Sequence, residues 1–441
     1  EASITEAEVE GLRFSLVSPQ PRPALNLPVD IFFLSLAEAV GERAIGVVLS
    51  GTGSDGSRGL RSIKDREGLV IAQEPATCGF DGMPRQAIGT GLVDQVLQPD
   101  DIVEEIARFI ELRNHGISDV DEMFVGAQDT FRLILETVSK QAEIDFALYK
   151  EPTLKRRIAR RMGFLGLSKI RDYLDYLGEH PGEVELLYRE FLVGVTNFFR
   201  DLHVWQAMET RVLKRLFEEG DTTAPLRVWS VGCSTGEEAY TLAMLLQKFR
   251  DDHKIERDFR VYATDVNENS VNTAKQGIYP DHTLEEIPLK YREAGYVTHH
   301  PGTFAIAPKI RAQIVFAVHD ITLDPPYTRT DLIVCRNLLI YLSPDVQAKV
   351  MVNFSMSLRM DGYLLLGAAE TPGTDGVRFD FFMGKERIYK NKRVAQSGVG
   401  RGKLTAQLPA LGMLPRARRM LSAGHTFQDD LSSLFQFSLE A

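Results

Sequence analysis

Four stretches of this chain set glycine, carboxylate, amide and guanidinium groups at the ends of apolar runs, where open α/β sheets present groups to a ligand. In Val228–Tyr240, "VWSVGCSTGEEAY", Gly232 and Gly236 bracket a loop between a strand and a helix, with Glu238 in the helix's first turn. Such glycines let a ligand approach the backbone, and the helix start offers free N–H groups. The next apolar run, "RVYATDV", ends at Asp265, whose carboxylate can accept two ribose hydroxyls; it is equally a candidate N-cap for a helix starting near Glu268. No phosphate-binding lysine accompanies the loop, so the pair suggests adenosine without a triphosphate. In "DLIVCRNLLIYL", Asp331–Leu342, Arg336 and Asn337 leave a buried strand, and Tyr341 follows; the plain alternatives are a helix cap and a half-buried core tyrosine. In "GVTNFFRD", Gly194–Asp201, Phe198 and Phe199 are packing residues that could position Thr196 and Arg200.

Three further motifs have competing readings. Gly51–Gly56, "GTGSDG", formally matches a dinucleotide fingerprint with Glu74 downstream, or is simply a glycine turn. Asp55 argues against a nucleotide, because its charge would face a pyrophosphate. In "YKEPTLKRRIARRM", Arg156 and Arg160 are one helical turn apart, as are Arg157 and Arg161, giving two basic rows that are either a solvated face or a docking face. "DPPY", Asp324–Tyr327, matches a loop of amino-methyltransferases, but it precedes the strand Leu332–Cys335 that it would have to follow.

The elements that must hold these groups follow from the hydrophobic pattern. Ala44–Ser50 and Leu69–Ala72 read as buried parallel strands of an α/β piece, followed by a polar linker at Asn114–Asp121. From Asp129 to about Phe191 the period is helical, with Leu154, Ile158 and Met162 on one stripe. Arg227–Val231, Phe259–Thr264, Ile314–Val318, Leu332–Cys335 and Tyr363–Gly367 then alternate with helices, one of them running from Ser343 and Pro344 toward Arg359 with Gly362 after its end. The expected divisions are 1–112, 122–192, 193–392 and a tail at 393–441.

Composition narrows the class. With 44% hydrophobic and 25% charged residues, the 441-residue chain has the balance of a globular protein. No apolar run reaches the roughly 18 residues of a membrane span, so no membrane insertion is expected. Three cysteines without C-x-x-C spacing suggest neither a metal site nor a disulfide framework, and favour the cytoplasm. The net charge of −10 argues against nucleic acid as a partner. A start at Glu1, with no signal-peptide pattern, is expected of a fragment of something longer.

Two resemblances organise these motifs. Leu49–Leu60, "LSGTGSDGSRGL", and Ala72–Ala87, "AQEPATCGFDGMPRQA", resemble the C-terminal half of chemotaxis protein-glutamate methylesterases, the CheB family. This implies that Asp55 is the acid of a Ser-His-Asp triad. The family's serine and histidine motifs lie upstream of the matching region and are not in this chain, whose first histidine is His115, so a truncated, inactive esterase half is expected.

The four site-like stretches, in order over about Asp129–Lys392, resemble the chemotaxis receptor glutamate methyltransferases, the CheR family. The resemblance implies a small all-helical domain, then a Rossmann-like α/β methyltransferase domain with a small β-subdomain near 277–313. It implies that S-adenosylmethionine, leaving as S-adenosylhomocysteine, contacts Thr196, Arg200, Glu238, Asp265, Arg336 and Asn337, with Gly232 in the ligand loop and Asp320 and Ile321 near the adenine. The family commonly carries Asn at the place of Gly194 and often Asn-Leu at Asp320-Ile321. Arg200 and Tyr341 are expected to orient the acceptor; no base is required, because a glutamate is already ionised at neutral pH. The implied acceptors are glutamates on the cytoplasmic helices of chemoreceptors, with Arg156, Arg157, Arg160 and Arg161 docking onto them. An esterase half ahead of a transferase is similar to hybrid sensory proteins that continue into sensor or kinase domains. The competing readings are a methyltransferase for nucleic acid or a small molecule, and a non-catalytic scaffold that binds S-adenosylmethionine.

Overall fold

The computed structural model describes residues 3–4, 16–17, 27–66, 68–114, 123–192, 194, 196–219, 222–373 and 378–392. The expected linker after Asn114 and the expected tail at 393–441 lie outside the described residues. A short antiparallel pair, β1 (Ser3–Ile4) and β2 (Leu16–Val17), precedes the first α/β segment. That segment runs α1 (Pro28–Val40), β3 (Ile45–Val48), α2 (Gly59–Asp65), β4 (Leu69–Gln73), α3 (Gly82–Gly89), β5 (Gln95–Leu97) and α4 (Pro99–Asn114). Its three strands are parallel, in the order β3-β4-β5. The central strand is buried on both faces: Val70 and Ala72 pack with Phe33, Leu60 and Ile63, while Leu69 and Ile71 pack with Ile102 and Phe109.

Four helices follow: α5 (Gln128–Ala142), α6 (Glu151–Phe164), α7 (Ile170–Glu179) and α8 (Pro181–Phe191). Leu154, Ile158 and Met162 of α6 are fully buried with Ile134, Val138, Tyr173 and Leu187. Phe146 anchors the centre, its ring 4.9 Å from Phe191 and 5.3 Å from Tyr149. Pro181 separates α7 from α8 by pushing His180 out of helical geometry, at φ −125° and ψ 81°.

The remaining chain forms α9 (Leu202–Ala207), a π-helical turn over Met208–Val212, α10 (Leu213–Glu218), β6 (Leu226–Val231), α11 (Glu237–His253), β7 (Phe259–Asp265) and α12 (Glu268–Gln276). After these come β8 (Ile278–Pro280), α13 (Leu289–Glu293), β9 (Val297–His300), β10 (Thr303–Ile306), α14 (Pro308–Arg311), β11 (Ile314–Val318), β12 (Thr330–Cys335), α15 (Pro344–Ser357), β13 (Leu358–Leu366), β14 (Phe379–Met383) and β15 (Ile388–Asn391). Among the described residues the large sheet has the order β11-β7-β6-β12-β13-β15-β14, parallel up to β13 and antiparallel beyond it. This is the Rossmann-like topology that the resemblance implies, and strand order reverses between β6 and β12. The strands β8, β10 and β9 form a separate antiparallel sheet between β7 and β11.

Two features differ from the sequence reading. The helix expected to reach Arg359 stops at Ser357, and Gly362 lies inside β13 instead of after the helix. The Asn391 side-chain amide donates to the carbonyls of Ser355, Leu358 and Arg359, so the helix end is satisfied without a glycine. Strand β13 then bulges, pairing Leu358 with Thr330 and Tyr363 with Leu332. The "DPPY" segment is a packing element: the Tyr327 ring packs at a tilt against Tyr262 at 5.0 Å and Trp229 at 5.3 Å. Among the described residues no helix is long and apolar enough to cross a membrane.

Candidate functional site

A cavity of about 270 Å³ lies beyond the carboxyl ends of β6, β7 and β12, at the reversal of strand order. Thr196, Arg200, Gly232, Glu238, Asp265, Asp320, Ile321, Arg336, Asn337 and Tyr341 all line it. A second hollow, lined by Tyr240, Lys275 and Arg311 among others, lies at the amino end of β11 and gathers no such convergent polar set.

The loop after β6 is shaped by Gly232 (φ 69°) and Gly236 (φ 101°), and a Cβ on Gly236 would lie 2.8 Å from Ala274 Cβ. Within the loop, the Ser234 N–H donates to Asp265 Oδ2 at 2.8 Å, and the Asn267 N–H donates to Oδ1 at 2.9 Å. Asn267, not Asp265, caps α12, accepting from the Ser270 N–H at 3.2 Å. Burial raises the Asp265 pKa, against the pull of those backbone donors. Glu238 is also raised by burial, opposed by Arg336, whose Nη1 lies 3.5 Å from its Oε2. Arg336 further donates to the Arg200 carbonyl at 3.2 Å and to the Asp201 carboxylate, and its guanidinium lies over the Trp205 ring. Asp320 Oδ1 accepts from the Thr322 N–H and hydroxyl at 2.8 and 2.6 Å.

Several non-glycine residues here have left-handed backbones: Phe199, Asp201, Ser234 and Asn337. Each conformation costs on the order of 1–2 kcal/mol and persists only where the surroundings enforce it. For Asn337 the enforcing group is Glu370, only 3% exposed. Its carboxylate accepts from the N–H groups of Asn337, Leu338, Leu339 and Gly367 at 2.7–3.0 Å. Sequence reasoning missed Glu370, although an acid just past the end of an apolar strand was a usable signal. It also missed Tyr149, His319 and Asp65, which line the cavity. Tyr149 is pushed up by burial and by the charges of Asp320 and Asp265, and comes from the helical module, where no local spacing marks it.

Asp55 stands apart from the cavity. Its two oxygens accept from the N–H groups of Val29 and Asp30 at 3.2 and 3.0 Å, capping α1. The basic rows of α6 are not the open face expected for docking, nor a solvated one. Arg157 is 7% exposed, donates to the Glu190 carbonyl and lies over the Tyr341 ring. Arg160 donates to the Gly68 carbonyl at 3.0 Å and pairs with Asp94. Arg161 grips Glu183 with two bonds of 2.9 and 2.7 Å, and Arg156 is half-buried. A buried guanidinium without a partner is costly, so Arg157, Arg160 and Arg161 fold onto carboxylates and carbonyls that helical periodicity does not reveal. Burial would raise Glu190, but Lys64, Arg160, Arg157 and Arg161 together outweigh it and pull it down to about 2.

Comparison with known proteins places this geometry. Residues 194–387 match the family model described as CheR methyltransferase, SAM binding domain; residues 129–192 match CheR methyltransferase, all-alpha domain; and residues 5–106 match CheB methylesterase. A protein of Rhodobacter capsulatus, named "Uncharacterized 104.1 kDa protein in hypE 3'region", is 36% identical over 436 residues, which are 94% of this chain. The chain spans only 45% of that relative's length. The "Chemotaxis protein methyltransferase" of Listeria monocytogenes is 35% identical over 237 residues, 53% of this chain and 86% of that protein. The crystal structure of the Thermotoga maritima CheB methylesterase catalytic domain is 32% identical, covers 24% of this chain and 56% of that chain, and has a TM-score of 0.21.

S-adenosylmethionine is the cofactor that the matched domain implies, and the cavity's donor set fits it. Among the described residues, Arg336 Nε and His319 Nδ1 of its lining are buried without a hydrogen-bond partner. His319 Nε2 lies 3.0 Å from the Pro325 carbonyl and donates to it, which in the neutral ring leaves Nδ1 as an acceptor. Each Asp265 oxygen has a lone pair beyond the one its backbone donor uses, enough for a ribose diol.

Proposed function

Because the chain belongs to the CheR methyltransferase family and carries a CheB methylesterase segment ahead of the transferase, we propose that it forms methyl esters on glutamate side chains of chemoreceptors. The observation that carries this reading is the convergence of Arg200, Asp265, Arg336 and Tyr341, from four separate stretches, on one cavity at the sheet's switch point. S-adenosylmethionine supplies a methyl group on a sulfonium, ready for displacement by a nucleophile. Asp265 would accept from the ribose hydroxyls, Asp320 and Ile321 would lie near the adenine, and Glu238, Thr196 and Arg336 would hold the charged amino-acid end. Gly232 leaves room at the loop, and Asn337 is held in place by Glu370.

An acceptor glutamate, with an ordinary pKa of about 4.3, is already an anion at neutral pH, so no residue need remove a proton. S-adenosylmethionine would supply its sulfonium methyl to one carboxylate oxygen and leave as the neutral thioether S-adenosylhomocysteine, so that the charges of anion and sulfonium cancel. The residues therefore orient and desolvate. Arg200 faces the acceptor anion, Tyr341 offers its hydroxyl to the same carboxylate, and Tyr149, Phe191 and Ile321 exclude water. The acidic net charge and the packing role of Tyr327 favour a protein acceptor over nucleic acid.

In the esterase segment, residues 1–112 contain no histidine and Asp55 accepts from the N–H groups of Val29 and Asp30, and we assign no ester hydrolysis to this chain. The setting we propose is cytoplasmic, beside receptor helices and any sensor or kinase domains of a longer protein. The test is transfer of labelled methyl from S-adenosylmethionine to a chemoreceptor fragment. Label released as methanol by mild base identifies an ester; base-stable label, or label in nucleic acid, contradicts the proposal, and cofactor binding with no acceptor labelled favours a scaffold.

A further inference from the structure

Helix α2 of the esterase segment reaches the transferase cavity. Its last residue, Asp65, lines that cavity, with Oδ2 3.6 Å from Arg200 Nη2. One turn back, Arg61 donates to the Thr196 carbonyl, and two turns back Arg58 pairs with Glu285 at 3.3 Å. Positions 58, 61 and 65 form one helix face, so a single side of α2 meets the transferase. Beside it, Lys64 pairs with Asp94 and lies 3.4 Å from Glu190, and Arg160 of α6 binds the same two carboxylates. Two acids of the esterase segment thus already sit on the guanidiniums that an acidic acceptor helix would seek: Asp65 on Arg200, and Asp94 on the basic row of α6.

We propose that the esterase segment is a built-in competitor of the acceptor, in which Asp65 holds the place at Arg200 that the incoming glutamate carboxylate takes. The inference rests on the transferase reading above. A second anion beside Asp65 would be repelled, so acceptor entry requires α2 to withdraw. The contacts that close the cavity are the weaker ones: the side chains in the Asp65–Arg200 and Arg58–Glu285 pairs are each about 30% exposed, whereas Lys64, Asp94, Arg160 and Glu190 are nearly buried. Half-exposed pairs contribute little and are screened by salt, so the tip of α2 is the part able to open while the buried network keeps the segment attached. Such gating changes the apparent affinity for the acceptor and leaves the chemical step alone; a closed population of about 90% raises the apparent KM about tenfold.

The test uses the full chain, with a soluble glutamate-bearing helical hairpin of a chemoreceptor as acceptor. Methyl transfer is measured for wild type, Asp65→Asn and Arg58→Glu, and S-adenosylhomocysteine binding is titrated in parallel. The expected result is a KM for the hairpin about tenfold lower in both variants, with kcat at the wild-type value in Arg58→Glu. Arg58→Glu acts at an exposed pair and opens the face by repulsion from Glu285, so it remains informative if Asp65→Asn folds poorly. Methylation by wild type with KM unmoved in both variants overturns this inference alone. A loss of kcat in Asp65→Asn also overturns it, making Asp65 a residue that positions Arg200. Binding of S-adenosylhomocysteine with no methylation by any form overturns the transferase reading, and this inference with it.

Discussion

Two glycine loops in this molecule begin alike and end differently. Gly51–Gly56 and Gly232–Gly236 each follow a buried parallel strand, and each has a carboxylate at hand, Asp55 in one case and Asp265 in the other. In the first, Asp55 caps the start of α1, and its neighbour Asp30 accepts from the N–H groups of Arg58 and Gly59. In the second, the sheet reverses its strand order and the helical module lends Tyr149 as a wall, so Asp265 faces a cavity. A glycine loop becomes a site when the sheet leaves a crevice beyond it; otherwise its polar groups cap helices.

That contrast can be broken by substitution. The largest effect is expected at the carboxylates that collect backbone donors. Glu370→Ala strands four N–H groups and should cost about 3–5 kcal/mol in chemical denaturation, whereas Asp30→Ala, with two, should cost about 1–2 kcal/mol. Equal losses would mean that the cavity turn is no more dependent on its anchor than a helix start is. Next come the glycines. Gly236→Ala meets both a left-handed backbone and Ala274, and about 2–3 kcal/mol is expected in the same assay; Gly53→Ala meets only the φ of 93°, with open space around it, and about 1 kcal/mol is expected.

The smallest effect lies where the two regions meet. Glu286 accepts from the Phe198 N–H, and burial pushes its pKa up to about 7 although Arg61 of α2 and Arg58 just ahead of it pull it down. The folded chain therefore holds a proton that the unfolded chain releases, so this group makes stability fall as pH rises from about 4.5 to about 7, by at most about 1.4 kcal/mol per pH unit. Glu286→Gln should flatten that slope in pH-dependent denaturation; an unchanged slope would place the titration elsewhere.

What the sequence made legible followed element by element. The buried strands β6, β7, β11 and β12 announced themselves as apolar runs, and the groups at their ends proved to line one cavity. The strands β14 and β15 did not, because they are short, carry no alternating pattern, and are held by antiparallel pairing, β15 with β13 and β14 with β15. Tyr149 and Asp65 were invisible for another reason: they enter the cavity from other segments, through packing that no local spacing encodes. The arginines of α6 lie on one helix, but what covers Arg160 comes from Gly68 and Asp94, far away in sequence.

The central claim, that the loop after β6 binds a cofactor and the loop after β3 does not, is tested most directly by calorimetric titration of S-adenosylhomocysteine into wild type, Asp265→Ala and Asp55→Ala. The account predicts binding to wild type, an affinity about 10- to 150-fold weaker in Asp265→Ala from the loss of charged hydrogen bonds, and wild-type affinity in Asp55→Ala. No binding to wild type, or equal weakening in both variants, would contradict it.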